Sequence, residues 1–195
     1  MTLAKVVAVV AAAVVAGAAT VLVATQLTEV STAATTAPTT SDTPSRPLAQ
    51  GDPLRVTVPA IGVDAQIVPV ALLPDGAMET PEFGLAGWYS PGPKPGEPGP
   101  AVVVAHVDSK ANGPDVFYRL RELAPGDEVT VHYRDTTTTF VVTGKEQAAK
   151  TALPTDRIWN GATAPVLRLI TCGGAFDRAA GSYLDNVIVY ADRLV

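Results

Sequence analysis

The chain has 195 residues, 47% of them hydrophobic, and a formal net charge of −5 at pH 7. It has no run of basic residues, which argues against binding to nucleic acid. With one cysteine and two histidines it also offers no cluster of metal ligands, so we expect neither a metal nor another cofactor.

The first 26 residues are typical of a membrane anchor. Residues 6–25 carry no charge and are rich in Ala and Val, and this length is about enough to cross a bilayer. A cleaved signal peptide has a shorter apolar core, although residues 16–18 (Ala-Gly-Ala) resemble a cleavage site and leave that alternative open. Lys5 precedes the apolar run, which predicts a cytoplasmic N-terminus and a single-pass membrane protein whose remaining residues are extracellular.

A change in composition follows the apolar segment. Residues 27–49 are rich in Thr, Ser, Ala and Pro and contain no aromatic residue. Such a segment cannot bury enough apolar surface to offset the entropy of ordering, so we expect a disordered stalk. Residues 50–195 then form one domain of ordinary size, with room for a sizeable core.

Short apolar runs separated by Gly and Pro turns predict strands in this domain. The predicted strands are Leu54–Val58, Ala65–Val70, Pro100–Ala105, Asp127–Tyr133, Thr136–Lys145, Val166–Cys172 and Tyr183–Ala191. Asp115 is a candidate cap for a short helix from Val116 to about Leu123. The pattern predicts a mostly antiparallel all-β domain, most simply a closed barrel, with one or two short helices.

The only cysteine, Cys172, ends a strand-like run and precedes Gly173 and Gly174. An isolated cysteine is often a small buried hydrophobic residue. Exported proteins, however, usually pair their cysteines or lack them, so a single one is a candidate reactive thiol. The two glycines would leave space for a substrate and backbone N–H groups free to face an oxyanion.

His106 also ends a strand-like run, and Asp108 follows two residues later. In a strand this spacing puts both side chains on one face, so Asp108 is a candidate to orient the imidazole. A thiol and an imidazole at strand ends are the minimum set for acyl transfer through a thioester. The other histidine, His132, lies in an alternating strand and is expected at the surface.

Acyl transfer also develops negative charge on a carbonyl oxygen, which an arginine or backbone N–H groups must stabilise. The arginines near Cys172 in sequence are Arg178 and Arg168. Arg168 precedes Cys172 by four residues and shares its face of the strand, but an exposed strand residue is the simpler interpretation.

Taken together, these residues resemble the sortases, the membrane-anchored cysteine transpeptidases of Gram-positive bacteria. The resemblance rests on Leu169-Ile170-Thr171-Cys172, on the upstream Ala105-His106, and on the apolar N-terminus and stalk. The Gly-Gly pair after the cysteine, Gly87-Trp88-Tyr89 and residues 183–191 are similar to the actinobacterial class F sortases.

The resemblance implies an eight-stranded β-barrel and a two-step reaction. Cys172 would attack a backbone carbonyl of a C-terminal sorting signal, commonly of the Leu-Pro-x-Thr-Gly kind, in a secreted protein. An amine from a peptidoglycan precursor or a pilin would then resolve the thioester. His106 would act as general acid and base.

One feature departs from the family pattern. Sortases generally place an arginine on the strand after the cysteine, and in this chain Asn186 falls roughly in that register. Arg178 is the first substitute we consider, and Arg119 is another. Asn186 could itself donate a hydrogen bond to the oxyanion, and Gly173, Asn186 and Asp108 are candidate substrate contacts.

Three alternatives remain open on the sequence. A related hydrolase would form the same thioester and release it to water. A non-catalytic exported binding module would hold Cys172 buried and inert. Another family of cysteine acyl transferases, the L,D-transpeptidases, places His and Cys close together in a Ser-His-Gly-x-Arg-type stretch, which this sequence lacks.

Overall fold

The computed structural model describes residues 51–195. The predicted membrane anchor (6–25) and stalk (27–49) lie outside the described residues. None of the helices within residues 51–195 has the length and apolar character needed to cross a membrane. The domain boundaries expected at residues 26 and 49 therefore stay predictions.

Eight strands close into a barrel, which confirms the predicted all-β architecture. They are β1 (Arg55–Val58), β2 (Val63–Val70), β3 (Leu85–Tyr89), β4 (Gly99–Val104), β7 (Glu128–His132), β8 (Thr137–Ala149), β9 (Pro165–Asp177) and β10 (Ser182–Arg193). Their order around the barrel is β1-β2-β3-β4-β9-β10-β8-β7, and β7 pairs with β1 to close it. Two neighbouring pairs, β2 with β3 and β4 with β9, are parallel.

Each of the predicted strands overlaps an observed one, but the sequence analysis missed β3 as a strand. It is short and contains Gly87, a residue that weakens strands. The structure shows why glycine stands there: a Cβ on Gly87 would lie 2.7 Å from a methyl carbon of Val70 on β2. Close packing against β2 therefore offsets the weak local propensity.

The helix predicted from Val116 to Leu123 is wrong. Only a 3₁₀ turn, Leu120–Glu122, forms in that segment. The backbone N–H of Phe117 donates to the carbonyl of His106 at 3.0 Å instead of remaining free at a helix start. Asp115 does not cap a helix either, because its Oδ1 accepts from the backbone N–H of Gly84 at 2.9 Å.

A short hairpin precedes this segment and a short helix lies farther along the chain. The hairpin pairs β5 (Asp108–Ser109) with β6 (Gly113–Pro114). The described residues contain one α-helix, α1 (Thr155–Trp159), which is too short to give a periodic signal in the sequence. Further 3₁₀ turns span Pro59–Ile61 and Lys150–Ala152.

Side chains alternate between the two faces of β9, and this alternation places the cysteine. Leu167 and Leu169 are fully buried in the barrel interior. Ile170, one residue on, belongs to a second apolar cluster outside that core. Because successive strand residues face opposite sides, Cys172 lies on the same outer face as Ile170.

The outer cluster is covered by α1. Ile158 of this helix is buried in it, together with Val104 of β4 and Ile188 of β10. Trp159 meets Tyr89 of β3 edge to face, with ring centroids 5.0 Å apart. The helix thus covers the part of the outer face that lies next to the cysteine.

The two glycines after Cys172 form an irregularity in the β9–β10 pairing. Gly173 pairs with Asp185 and Phe176 pairs with Tyr183, so β9 carries one extra residue there. Gly174 has φ +77°, a left-handed conformation that suits glycine in a β-bulge. A Cβ on Gly174 would also lie 2.3 Å from a carboxylate oxygen of Asp185.

We expect Gly174→Ala to destabilise the fold more than Gly181→Ala. Both glycines have positive φ, which costs an alanine about 1–2 kcal/mol. An added Cβ would contact another residue only at Gly174, because nothing lies within 4 Å of a Cβ built on Gly181. In urea denaturation, the free energy of unfolding should fall by at least about 1 kcal/mol more in Gly174→Ala than in Gly181→Ala. Equal losses would contradict the proposed tight contact with Asp185.

Candidate functional site

The parallel pairing of β4 with β9 brings two of the predicted site residues together. Val104 pairs with Ile170 in the strand register. Past the end of β4, the backbone N–H of Ala105 donates to the Ile170 carbonyl at 3.3 Å. His106 and Cys172 each lie two residues beyond that pair. Extended two residues past the end of β4, the same register predicts that they lie side by side on the outer face, with backbones about 5 Å apart.

A side-chain hydrogen bond strengthens this register one residue before the cysteine. The hydroxyl of Thr171 donates to the carbonyl of Ala105 at 2.7 Å, and Thr171 is buried. Because a buried hydroxyl is costly to leave unpaired, this bond opposes sliding of β4 along β9. The residues immediately before His106 and Cys172 are thus held to each other.

Cys172 is a free thiol and is half-buried. It does not end its strand, as the sequence suggested, because β9 continues to Asp177. Its neighbour on the other side is Asn186 of β10, which is its direct cross-strand partner. Side chains of such a pair share one face and lie within contact range. The outer face therefore carries Cys172 and Asn186 side by side on β9 and β10, with His106 placed next to Cys172 by the extended register of β4.

The loop between β2 and β3 holds the imidazole of His106. Its Nε2 lies 2.9 Å from the carbonyl oxygen of Pro81, and its ring stacks on Phe83 with centroids 4.5 Å apart. A carbonyl oxygen only accepts hydrogen bonds, so Nε2 must carry the proton. In the neutral ring Nδ1 is then the unprotonated nitrogen. Nδ1 is therefore the ring nitrogen of His106 that remains able to accept a proton.

Asp108 does not bind the imidazole of His106, as the sequence suggested. Its two carboxylate oxygens share the single proton donated by the hydroxyl of Tyr183, at 2.9 and 2.8 Å, whereas the imidazole binds Pro81. This hydrogen bond to Asp108 is the main cause that raises the pKa of Tyr183, and the nearby charge of Cys172 contributes. Asp108 thus connects β5 to the start of β10.

Two arginines considered from the sequence are engaged elsewhere. Arg168 is buried, not exposed as expected, and its guanidinium lies over the ring of Tyr190 at 4.7 Å. It shares the face of Cys172, but four residues along a strand span about 13 Å. Arg119 forms an ion pair with Glu122 at 2.7 Å. Neither side chain is directed to the thiol.

Arg178 lies on the turn between β9 and β10 and is exposed. It lines a pocket together with Asp108 and Tyr183. Its expected role as an oxyanion stabiliser stays a prediction, as do the substrate contacts expected of Gly173 and Asn186. His132, the other histidine, is half-buried on β7, where its Nε2 lies 2.9 Å from the hydroxyl of Thr57.

Sequence reasoning missed the roles of Pro81, Phe83 and Tyr183. Pro81 acts through its backbone carbonyl, which has no signature in the sequence. Phe83 and Tyr183 are remote from the residues that they contact, so only the closed barrel reveals them. Between Gly51 and Val195 no three His, Cys, Asp or Glu side chains converge to hold a metal ion.

A half-exposed thiol and an imidazole on one face of a β-barrel are the residue types that acyl transfer through a thioester requires. A family model described as "Sortase domain" matches residues 56–194. The chain therefore belongs to the sortase family, whose members are generally cysteine transpeptidases. The expectation drawn from the motifs is confirmed at the level of the family.

Solved structures share the fold at low sequence identity. The chain is similar to a Clostridium perfringens sortase D5 transpeptidase, with a TM-score of 0.55, 18% identity, and coverage of 76% of this chain and 83% of that chain. It is similar to Actinomyces oris sortase C-1 (0.56, 20%, 74% and 76%) and to Corynebacterium diphtheriae sortase A (0.57, 16%, 75% and 62%). No curated protein sequence matches the chain.

We expect the neutral imidazole of His106 to be the Nε2–H tautomer, because Nε2 donates to the Pro81 carbonyl. Long-range ¹H–¹⁵N correlation spectra can identify the tautomer, and the chain has only two histidines to assign. A His132→Gln variant removes the second set of signals. An Nδ1–H tautomer for His106 would contradict the hydrogen bond to Pro81.

Proposed function

We propose that this chain is a membrane-anchored extracellular transpeptidase of sortase class F. It cleaves a Leu-Pro-x-Thr-Gly-like sorting signal through a thioester on Cys172 and transfers the acyl group to a cell-wall amine. The observation that carries the proposal is the parallel register of β4 and β9, which sets His106 beside Cys172 on the outer face. Membership of the sortase family supports it independently.

In the first step the sulfur of Cys172 acts as a thiolate and attacks a backbone carbonyl carbon of the sorting signal. The C–S bond forms as the peptide C–N bond breaks. His106 starts this step as the imidazolium, with a proton on each ring nitrogen. The departing amine takes the Nδ1 proton, because Nε2–H donates to the Pro81 carbonyl, and the imidazole is left neutral. The product is an acyl thioester on Cys172 and a released C-terminal fragment.

In the second step a primary amine attacks the carbonyl carbon of the thioester. Nδ1 of His106 accepts the proton that the amine loses as the new C–N bond forms. The C–S bond breaks and Cys172 leaves as the thiolate, which restores the starting state. Water in place of the amine gives hydrolysis, and the geometry of the thiol and imidazole serves both outcomes.

Asn186 is the residue that we propose as the side-chain donor to the oxyanion. It faces Cys172 directly across the β9–β10 pairing, so its amide can donate beside the reacting carbonyl. A neutral amide supplies less electrostatic stabilisation than the arginine that the family generally uses. The proposed oxyanion donor therefore carries no full positive charge, and it relies on the short distance between paired residues on β9 and β10.

The non-catalytic alternative requires Cys172 to be buried and inert. The thiol is half-buried, and it lies on the outer face of the barrel with Ile170, not in the interior with Leu169. A structural cysteine of a barrel core would take an interior position. The placement of the thiol therefore favours the enzyme.

Intact-mass spectrometry of the protein incubated with a library of Leu-Pro-x-Thr-Gly-type peptides tests this proposal. We expect a covalent adduct that maps to Cys172 and disappears with hydroxylamine. Cys172→Ala should form no adduct while keeping its circular dichroism spectrum, because the thiol is not part of the core. A fully active Cys172→Ala variant would end the proposal.

The two histidines provide a matched comparison in the same assay. His106→Ala should slow acylation by about 10²–10⁴-fold through loss of the general acid. His132→Ala should retain the rate of the unchanged protein, since His132 lies on β7 against Thr57. Equal effects of the two substitutions would assign the loss to stability and remove the acid–base role of His106.

A further inference from the structure

A pocket of about 630 Å³ is formed by the chain segments that follow His106 and Cys172. This volume is within the range of small-molecule sites. The residues that line it come from the β5 segment and from the β9–β10 hairpin. They are Asp108, Ser109, Lys110, Phe176, Arg178 and Tyr183.

The walls of this pocket continue the two chain segments that carry the proposed chemistry. Asp108 follows His106 by two residues, and Phe176 lies four residues beyond Cys172 on β9. The hydroxyl of Tyr183 donates to Asp108, so the phenol reaches from β10 to the segment that follows the imidazole. A molecule in the pocket therefore lies between the chain segments that lead away from His106 and Cys172, and its amine must extend toward the acyl group on Cys172.

Charges of both signs face the same pocket. Lys110, after β5, and Arg178, on the β9–β10 turn, are exposed cations that line it. The Asp108 carboxylate is fixed by the Tyr183 hydroxyl, and each of its oxygens keeps a further lone pair to accept a bond. Such a site suits a ligand that carries an ammonium and a carboxylate close together.

An aromatic wall completes the pocket. Phe176 meets the ring of Tyr183 edge to face, with centroids 5.1 Å apart, although 51% of Phe176 is exposed. A large apolar side chain held in place at the mouth of a charged pocket offers contact area to the aliphatic part of a ligand. The pocket thus combines ionic groups with an apolar surface.

We propose that this pocket is the acceptor subsite, and that the acceptor carries a carboxylate next to its primary amine. Arg178 and Lys110 bind the carboxylate, and Asp108 attracts the amine before it attacks the thioester. This inference rests on the proposed transpeptidation. It adds to that function the chemical class of the second substrate, the acceptor amine.

The proposal gives Arg178 a role different from oxyanion stabilisation, and the two roles affect different steps. An oxyanion donor accelerates acylation and resolution with every acceptor, because both steps pass through a charged carbonyl oxygen. A carboxylate receptor leaves acylation unchanged and accelerates resolution only by carboxylated amines. Separate measurement of the two steps therefore distinguishes them.

The experiment uses glycine and glycinamide as acceptor probes, since they differ only in the carboxylate. The protein is first acylated with a Leu-Pro-x-Thr-Gly-type peptide, and each amine is then added while product is followed by mass spectrometry. The ratio of the glycine rate to the glycinamide rate is compared between the unchanged protein and a Lys110→Gln, Arg178→Gln double variant. Comparing ratios removes the intrinsic difference in amine reactivity.

We expect the ratio to fall roughly tenfold or more in the double variant, while its acylation rate stays unchanged. Arg134→Gln, an exposed arginine on the β7–β8 turn, should leave the ratio unchanged. An unchanged ratio in the double variant would overturn the inference. So would slower acylation with equal losses for both amines, which would assign Arg178 to the oxyanion.

The outcomes also separate this inference from the proposed function. If the unchanged protein forms no acyl-enzyme with any peptide, the transpeptidase proposal fails and the acceptor subsite fails with it. If the acyl-enzyme forms and resolves with both amines at a ratio insensitive to Lys110 and Arg178, only the acceptor subsite is overturned.

Discussion

Parallel strands cannot be joined by a tight turn, so the pairing of β4 with β9 encloses the chain from β5 to β8 between them. The site depends on the register of this pairing. A slip of one residue would turn Cys172 into the barrel and leave His106 beside the wrong neighbour. The buried hydrogen bond from Thr171 to Ala105 opposes such a slip. The apolar cluster of Val104, Ile170 and Ile188, which follow one another in the strand register below α1, favours the same register from the outer face.

Once this register is fixed, contacts from two other parts of the chain complete the site. The β2–β3 loop stacks Phe83 on the imidazole and fixes the proton on Nε2. The hydrogen bond between Tyr183 and Asp108 ties the hairpin that carries the thiol to the segment that follows the imidazole. Each contact joins residues that are remote in sequence. The arrangement is therefore a property of the closed barrel, and a local change in one loop acts on the imidazole or the pocket.

The sequence predicted the barrel well because apolar alternation and Gly/Pro turns are local signals, and β9 shows both. It also singled out Cys172 and His106, since a single thiol and an imidazole stand out by residue type alone. It failed where a longer-range contact overrides local propensity. The backbone N–H of Phe117 donates to His106, so Val116–Leu123 does not form the predicted helix. The strand β3 forms despite Gly87 because it packs closely on β2. A backbone partner such as the Pro81 carbonyl leaves no trace in the sequence.

The adjacency of His106 and Cys172 can be measured by cross-linking. Residues side by side on neighbouring strands lie within the separation that a disulfide bridges, about 4.4–6.8 Å between Cα atoms. Mild oxidation of a His106→Cys variant should therefore remove two hydrogen atoms from the intact mass and protect Cys172 from iodoacetamide. Val107→Cys, whose side chain faces the opposite side, should keep both thiols free. Two alkylated thiols in oxidised His106→Cys would contradict the register on which the proposed chemistry depends.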